Sequence, residues 1–217
     1  MPILVIGSKN YSTWSLRPWL FLTKVGFDFT ERVIEFDAAD YRRQIAQVSP
    51  SGRVPVLLLG DNKIWDSLAI CEFAADATAR GLPRDKIARG VARSAIAEMH
   101  SGFQALREQC PMNIRARGRR VAQTPDLVRD IQRIDALWSA CRMEYGSGGG
   151  WLFGDFSMAD AMFAPVLFRF QTYGADLSPE SRAYYEHALA DPVVRAWQQA
   201  ALRETVALPY VDVVGKE

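Results

Sequence analysis

The feature that most constrains this chain is a change in hydrophobic pattern about one third of the way along it. Before Gly81-Leu82-Pro83-Arg84-Asp85, short apolar runs alternate with helical stretches; after it, only helical spacing is found. Ile3 to Ile6 is a continuous, partly β-branched run, read as a strand buried on both faces. Trp14 to Val25 has helical spacing, with Pro18 in its first turn and Gly26 as C-cap. Phe29 to Phe36 alternates and reads as a second strand, parallel to the first across a right-handed crossover. A short helix is expected over Tyr41 to Val48 and a strand over Val54 to Leu59. A turn at Gly60 to Lys63 leads into Ile64-Trp65, and a helix follows over Leu68 to Ala79. The order is β-α-β-α-β-β-α. Beyond the linker, helices are expected over Ala88 to Gln109, Pro125 to Tyr145, Ser157 to Tyr173, Pro179 to Ala190 and Pro192 to Glu204. A flexible glycine loop is expected at Gly146 to Gly150. The division is therefore 1–80 as an α/β unit, 81–86 as linker and 87–217 as an all-α unit.

Composition narrows the function classes. Of 217 residues, 49% are apolar and 24% charged, an ordinary globular balance. A formal charge of +1 argues against a general nucleic-acid binder. Arg115, Arg117, Arg119 and Arg120 are read as a solvated basic run. Three scattered cysteines form no Cys-x-x-Cys pair, and two histidines make neither a metal centre nor a Ser-His-Asp triad. No metal is expected. The N-terminus lacks the basic stretch and cleavage site of a signal peptide, and the longest apolar stretch is too short for a bilayer. A cytoplasmic protein with no membrane partner is expected.

Four local patterns stand out. Val54-Pro55 follows the turn cluster Ser49 to Arg53 and sets a proline at the head of a strand. Asp66-Ser67 precedes an apolar-periodic helix, with Ser67 read as a good N-cap and Asp66 as favourable near the helix N-terminus. Asn10-Tyr11-Ser12-Thr13-Trp14-Ser15-Leu16-Arg17 lies between strand one and helix one. Ser157-Met158-Ala159-Asp160 is a capping box with Phe156 ahead of it, and Asp160 there is a structural acid.

Together these patterns and the element order resemble the glutathione transferase family, over both halves of the chain. The resemblance implies a thioredoxin-like N-terminal domain that binds glutathione and an all-helical C-terminal domain. It implies a cis Val54–Pro55 bond, with Val54 pairing antiparallel to the cysteinyl part of glutathione. Asp66 and Ser67 would receive the γ-glutamyl carboxylate. The first loop is most similar to the zeta-type pattern Ser-Ser-Cys-x-x-Arg: Ser12 and Thr13 take the serine positions, Arg17 the arginine, and Trp14 replaces the cysteine. Ser12 is then the thiol-activating residue. Tyr11 and Ser15 are competing donors, and capping of helix one by Ser12 or Thr13 is the plainer alternative. Trp14, Met99, Phe103 and Met112 are candidates for an apolar pocket for a small electrophilic substrate, although core packing is the plainer explanation of each. Trp65 is placed under the glutathione site or at a subunit interface. The resemblance implies a homodimer with glutathione as co-substrate. It implies conjugation of the detoxifying kind, dehalogenation, or glutathione-dependent isomerisation of the maleylacetoacetate type. A non-catalytic binding or regulatory relative is the alternative. A cysteine-dependent reductase or peroxidase ranks last.

Overall fold

A computed structural model describes residues 1–216. β1 (Ile3–Gly7) lies inside a four-stranded sheet of order β2-β1-β3-β4. It pairs in parallel with β2 (Thr30–Ile34) and antiparallel with β3 (Val56–Leu59), which pairs antiparallel with β4 (Asn62–Ile64). Alternation along β1 sorts its side chains to two layers. Leu4 and Ile6 join the main core with α1 (Thr13–Val25) and α3 (Ser67–Thr78). Val5 packs on the other face with Ile34, Val56 and Ile45 of α2 (Tyr41–Val48). β2 is shorter than the alternation predicts and buries only Ile34, as suits an edge.

α1 starts at Thr13, so Pro18 stands in the second turn rather than the first. Its end at Gly26 is as expected: φ is 74°, and the glycine N–H bonds back to the last turn. α1 packs against α3 on one side and against α7 (Met158–Tyr173) and α9 (Pro192–Arg203) on the other. One continuous core thus runs from Leu4 to Trp197.

The helices beyond the linker are α4 (Lys86–Ser101), α5 (Gln104–Gln109), α6 (Pro125–Tyr145), α7, α8 (Pro179–Ala190), α9 and α10 (Pro209–Asp212). Three expectations need correction. The stretch expected as one helix over Ala88 to Gln109 breaks at Gly102, which is extended, and Phe103, which is left-handed at φ 62°. Arg107 stabilises the break by donating to the carbonyls of Gly102 and Met99. The glycine loop is packed rather than loose. A Cβ on Gly149 would lie 2.0 Å from the Gly154 carbonyl oxygen, and one on Gly150 would lie 2.3 Å from the His187 ring. Short antiparallel bridges, Trp151 with Gly154 and Phe153 with Asp155, follow it in a half expected to be purely helical. The capping box forms as expected, with Asp160 accepting from the Ser157 N–H at 2.7 Å. Burial pushes the Asp160 carboxyl up to about 6, against the bonds it accepts from Leu152 and Ser157.

Candidate active site

A cleft of about 420 Å³ collects most of the motif residues. One wall is the Ser51–Pro55 turn, where the Val54–Pro55 bond is cis. A second wall is Trp65, Asp66 and Ser67, at the entry to α3, and here the Trp65–Asp66 bond is cis as well. Trp14 from α1 and His100 from α4 close the third side. A larger opening of about 780 Å³ lies around the 79–85 connection, but of the motif residues it touches only Phe156 and Ser157, which belong to the capping-box stretch. The smaller cleft is therefore the candidate site.

At the α3 entry the capping differs from expectation. Asp66, not Ser67, is the N-cap; its Oδ1 accepts from the N–H groups of Leu68 at 2.9 Å and Ala69 at 3.4 Å. Ser67 is the first helical residue. Its hydroxyl is fully buried and has no partner among the described residues. The other Asp66 oxygen lies 3.1 Å from His100 Nε2. Burial, with Arg17 and Arg107 nearby, holds His100 below the ordinary imidazole range despite Asp66. A neutral ring that donates from Nε2 leaves Nδ1 as a bare acceptor, and Nδ1 is buried without a partner among the described residues.

Beneath the cleft lies Arg17, with no exposed surface. None of its three guanidinium nitrogens has a hydrogen-bond partner among the described residues. Trp14 covers it, with the guanidinium 4.3 Å from the indole centroid, and Arg107 sits 5.0 Å from the same ring. His100 meets the Trp14 ring edge-on at 5.4 Å. Burial drives the Arg17 pKa well down, and Arg107 and Arg169 add to the shift. Cys71 lies in the same neighbourhood, and burial pushes its thiol up.

The first loop separates the competing donors. Ser12 occupies the N-cap position of α1, yet its hydroxyl caps no helix N–H. It donates instead to Ser15 Oγ at 2.7 Å, which also accepts from the Gly7 N–H at 3.0 Å. Tyr11 points elsewhere: its hydroxyl lies 2.9 Å from Asp212 and accepts from Arg115 and Leu208. Of the first-loop residues, Trp14 lines the cleft; Ser12, Thr13 and Arg17 are buried and are not part of its lining.

Met99, Phe103 and Met112 are buried in the main core and are absent from the cleft lining. Trp14 alone of the expected apolar-pocket residues reaches it. Trp65 lines the cleft and is 46% exposed. Ser51 and Arg53 join the lining without having been singled out for it, and His100, which the sequence offers either as a structural residue or as one facing an acidic substrate, lines it too. His100 follows Ile96 by one turn, at the edge of the buried face of α4, and that register favours the cleft-facing reading.

Comparison with known proteins decides the family. Residues 11–77 match the model of the glutathione S-transferase N-terminal domain, and residues 90–200 match that of the C-terminal domain. The chain belongs to the glutathione S-transferase family. It is similar to a probable maleylacetoacetate isomerase of Caenorhabditis elegans, 22% identical, with 82% of this chain and 83% of the relative covered. A probable maleylacetoacetate isomerase 1 of Drosophila melanogaster is 24% identical, with 82% and 72% covered. Among solved structures, a glutathione transferase homolog from Burkholderia GL BGR1 with bound glutathione superimposes with a TM-score of 0.68 at 24% identity. That match covers 92% of this chain and 97% of the other. A diazinon-metabolizing glutathione S-transferase of the silkworm Bombyx mori gives 0.73 at 15% identity, with 94% and 98% covered.

As a glutathione S-transferase, the chain is an enzyme of thioredoxin-like and helical parts. No helix among the described residues is long and apolar enough to cross a membrane. No cluster of three or more His, Cys, Asp or Glu that could hold a metal occurs among them.

Proposed function

We propose that glutathione lies along the cleft between the Val54–Pro55 turn and the α3 entry, and that its thiolate attacks a small electrophile admitted beside Trp14. The observation that carries this reading is the buried, unpartnered Ser67 hydroxyl at the N-terminus of α3, opening on the same cleft as Val54 and Pro55. A helix N-terminus favours an anion, and a hydroxyl without a partner supplies a donor for it. The γ-glutamyl carboxylate fits that place. The Val54 backbone would pair with the cysteinyl part, and Asp66 would meet the α-amino group.

Thiol activation is assigned to Ser12. A free thiol has a pKa of about 8.5 and is mostly protonated at neutral pH. Turning the Ser12 hydroxyl from Ser15 to the sulfur would give the thiolate a donor, and the positive end of α1 adds to it. Arg17 contributes positive potential from below, and Thr13 lies in the first turn beside it. The Tyr11 alternative is disfavoured by its bonds to the C-terminal segment. Conjugation and isomerisation of the maleylacetoacetate type share this first step, and the relatives' names favour testing the second. The reading takes 1–80 as the glutathione-binding domain, 87–217 as the helical domain and a homodimer as the working form.

Calorimetric titration of glutathione into the wild type and Ser67→Ala tests the reading. Loss of one donor to a charged group costs about 1.5–3 kcal/mol, so the variant should bind at least about tenfold more weakly at unchanged stability. Equal affinities would remove Ser67 from the site. Absence of binding to the wild type would overturn the reading.

A further inference from the structure

The loop before α1 is held from behind by the far end of the chain. Glu204, which follows α9 directly, places Oε1 2.6 Å from the Lys9 N–H and Oε2 2.9 Å from the Asn10 N–H. Both oxygens of one carboxylate are thus committed to two successive backbone donors, a charge-assisted arrangement. The other side of the same peptide is also gripped: Trp197 of α9 donates to the Lys9 carbonyl at 3.1 Å. Asn10 is bonded at its carbonyl by Ile114 and at its side chain by Asn113 and Arg115. The Tyr11 hydroxyl is held by Asp212 of α10. Ser12 follows at once, its N–H bonded to the Ser8 carbonyl at 2.8 Å.

We propose that the segment from Glu204 to Asp212 is a clasp that sets the position of the Ser8–Ser12 loop, and through it the thiol-activating hydroxyl, with Glu204 as the positioning residue. The proposal rests on the assignment of Ser12 to thiol activation. Lys9, Asn10 and Glu204 lie outside the stretches that match the family models, 11–77 and 90–200. Docking of the terminus for stability alone has its own means, in Val206, Leu208 and Val211 packed on Tyr11. The Glu204 carboxylate adds something different, because it fixes two buried main-chain donors of the loop that enters α1. A glutamine at 204 keeps one acceptor and turns a donor toward the other N–H, which leaves that main-chain donor without its partner.

The test compares wild type, Glu204→Gln and Glu204→Asp for four readouts. These are the pH dependence of thiolate absorbance in bound glutathione, turnover, glutathione affinity, and amide exchange at Lys9 to Ser12. In Glu204→Gln the bound thiol should titrate about half a unit or more higher. Turnover near neutral pH should fall on the order of tenfold, the scale of a modest misplacement, and recover in alkaline buffer. Glutathione affinity should stay within about twofold, since Val54, Asp66 and Ser67 are untouched. Loop amide exchange should quicken at least about tenfold. Glu204→Asp, which keeps two acceptor oxygens, should restore part of each effect. A purely structural role would lower the melting temperature and leave the bound thiol unmoved. Identical thiol titration in wild type and Glu204→Gln overturns the clasp's catalytic part, and unchanged loop exchange overturns its mechanical part. If Glu204→Gln does not fold, the same comparison is read on Glu204→Asp. A wild type that does not lower the thiol pKa instead refutes the Ser12 assignment, and the catalytic part of the clasp falls with it.

Discussion

The two sides of the first loop treat their polar groups in opposite ways. Behind it, Tyr11, Asn10, Asn113, Glu204 and Asp212 are bonded to one another or to the main chain. In front of it, Arg17, Ser67 and His100 Nδ1 are buried with no hydrogen-bond partner among the described residues. Tyr11 and Arg17 lie within two helical turns of each other on one chain, so the contrast is local. Buried polar groups are normally paired, because an unpaired one costs about 1–3 kcal/mol or more. A fully bonded face reads as scaffold. A face of unpaired groups beside a cleft reads as one completed by a ligand.

The largest effect tests where the front ends. Phe103→Ala should cost about 3–5 kcal/mol in urea unfolding, as loss of a buried core aromatic. Trp14→Ala should cost less than about 2 kcal/mol, its cation–π contacts, while changing turnover strongly. If the Phe103 variant kept its stability and lost activity, the apolar pocket would extend to Phe103 after all.

Next comes the contrast itself. Tyr11→Phe removes the hydroxyl that bonds Asp212, Arg115 and the Leu208 N–H, leaving Asp212 its bonds from Asn113 and Leu208, and should lose about 1–3 kcal/mol. Arg17→Met removes an unpaired buried charge and should be neutral or gain up to about 4 kcal/mol in the ligand-free protein. With saturating glutathione the gap between wild type and Arg17→Met should narrow or reverse, because the ligand stabilises most the protein it binds best. Losses of equal sign and size in the Tyr11 and Arg17 variants would break the comparison.

The smallest effect concerns His100. Its pKa is held below the ordinary value chiefly by burial, so the folded state keeps it neutral while the unfolded chain takes a proton near 6.5. The stability this supplies is complete above 6.5 and is lost as pH falls through the lowered folded pKa. Melting curves at about pH 7.5 and 5.5 should show wild type losing ground to His100→Gln in acid. A constant difference would place His100 in an unperturbed setting.

How much of this is legible in the sequence follows from the range of the forces involved. Local signals predict α1's end at Gly26, α6 from its Pro125 entry, and the Ser157–Asp160 box, because caps act within one turn. The break at Gly102-Phe103 escapes the pattern because apolar spacing continues across it; Arg107, folding back on Met99 and Gly102, stabilises it. The same break turns Phe103 into the core and leaves His100 on the cleft side of α4. Asp66 and Ser67 stand together as the pattern predicts, but which of them caps depends on backbone geometry that composition does not carry. The clasp is invisible in the sequence, since its bonds join residues almost two hundred positions apart. The unpaired state of Arg17 is equally hidden, because pairing is a property of the packed neighbourhood.

The most direct test of the account is the ultraviolet absorbance of glutathione thiolate bound to wild type and to Ser12→Ala as pH is varied. The account predicts that wild type lowers the bound thiol pKa at least about one unit below its free value near 8.5, and that Ser12→Ala returns it toward that value. Glutathione that binds both proteins with the same, unshifted thiol pKa would contradict the assignment of thiol activation to Ser12.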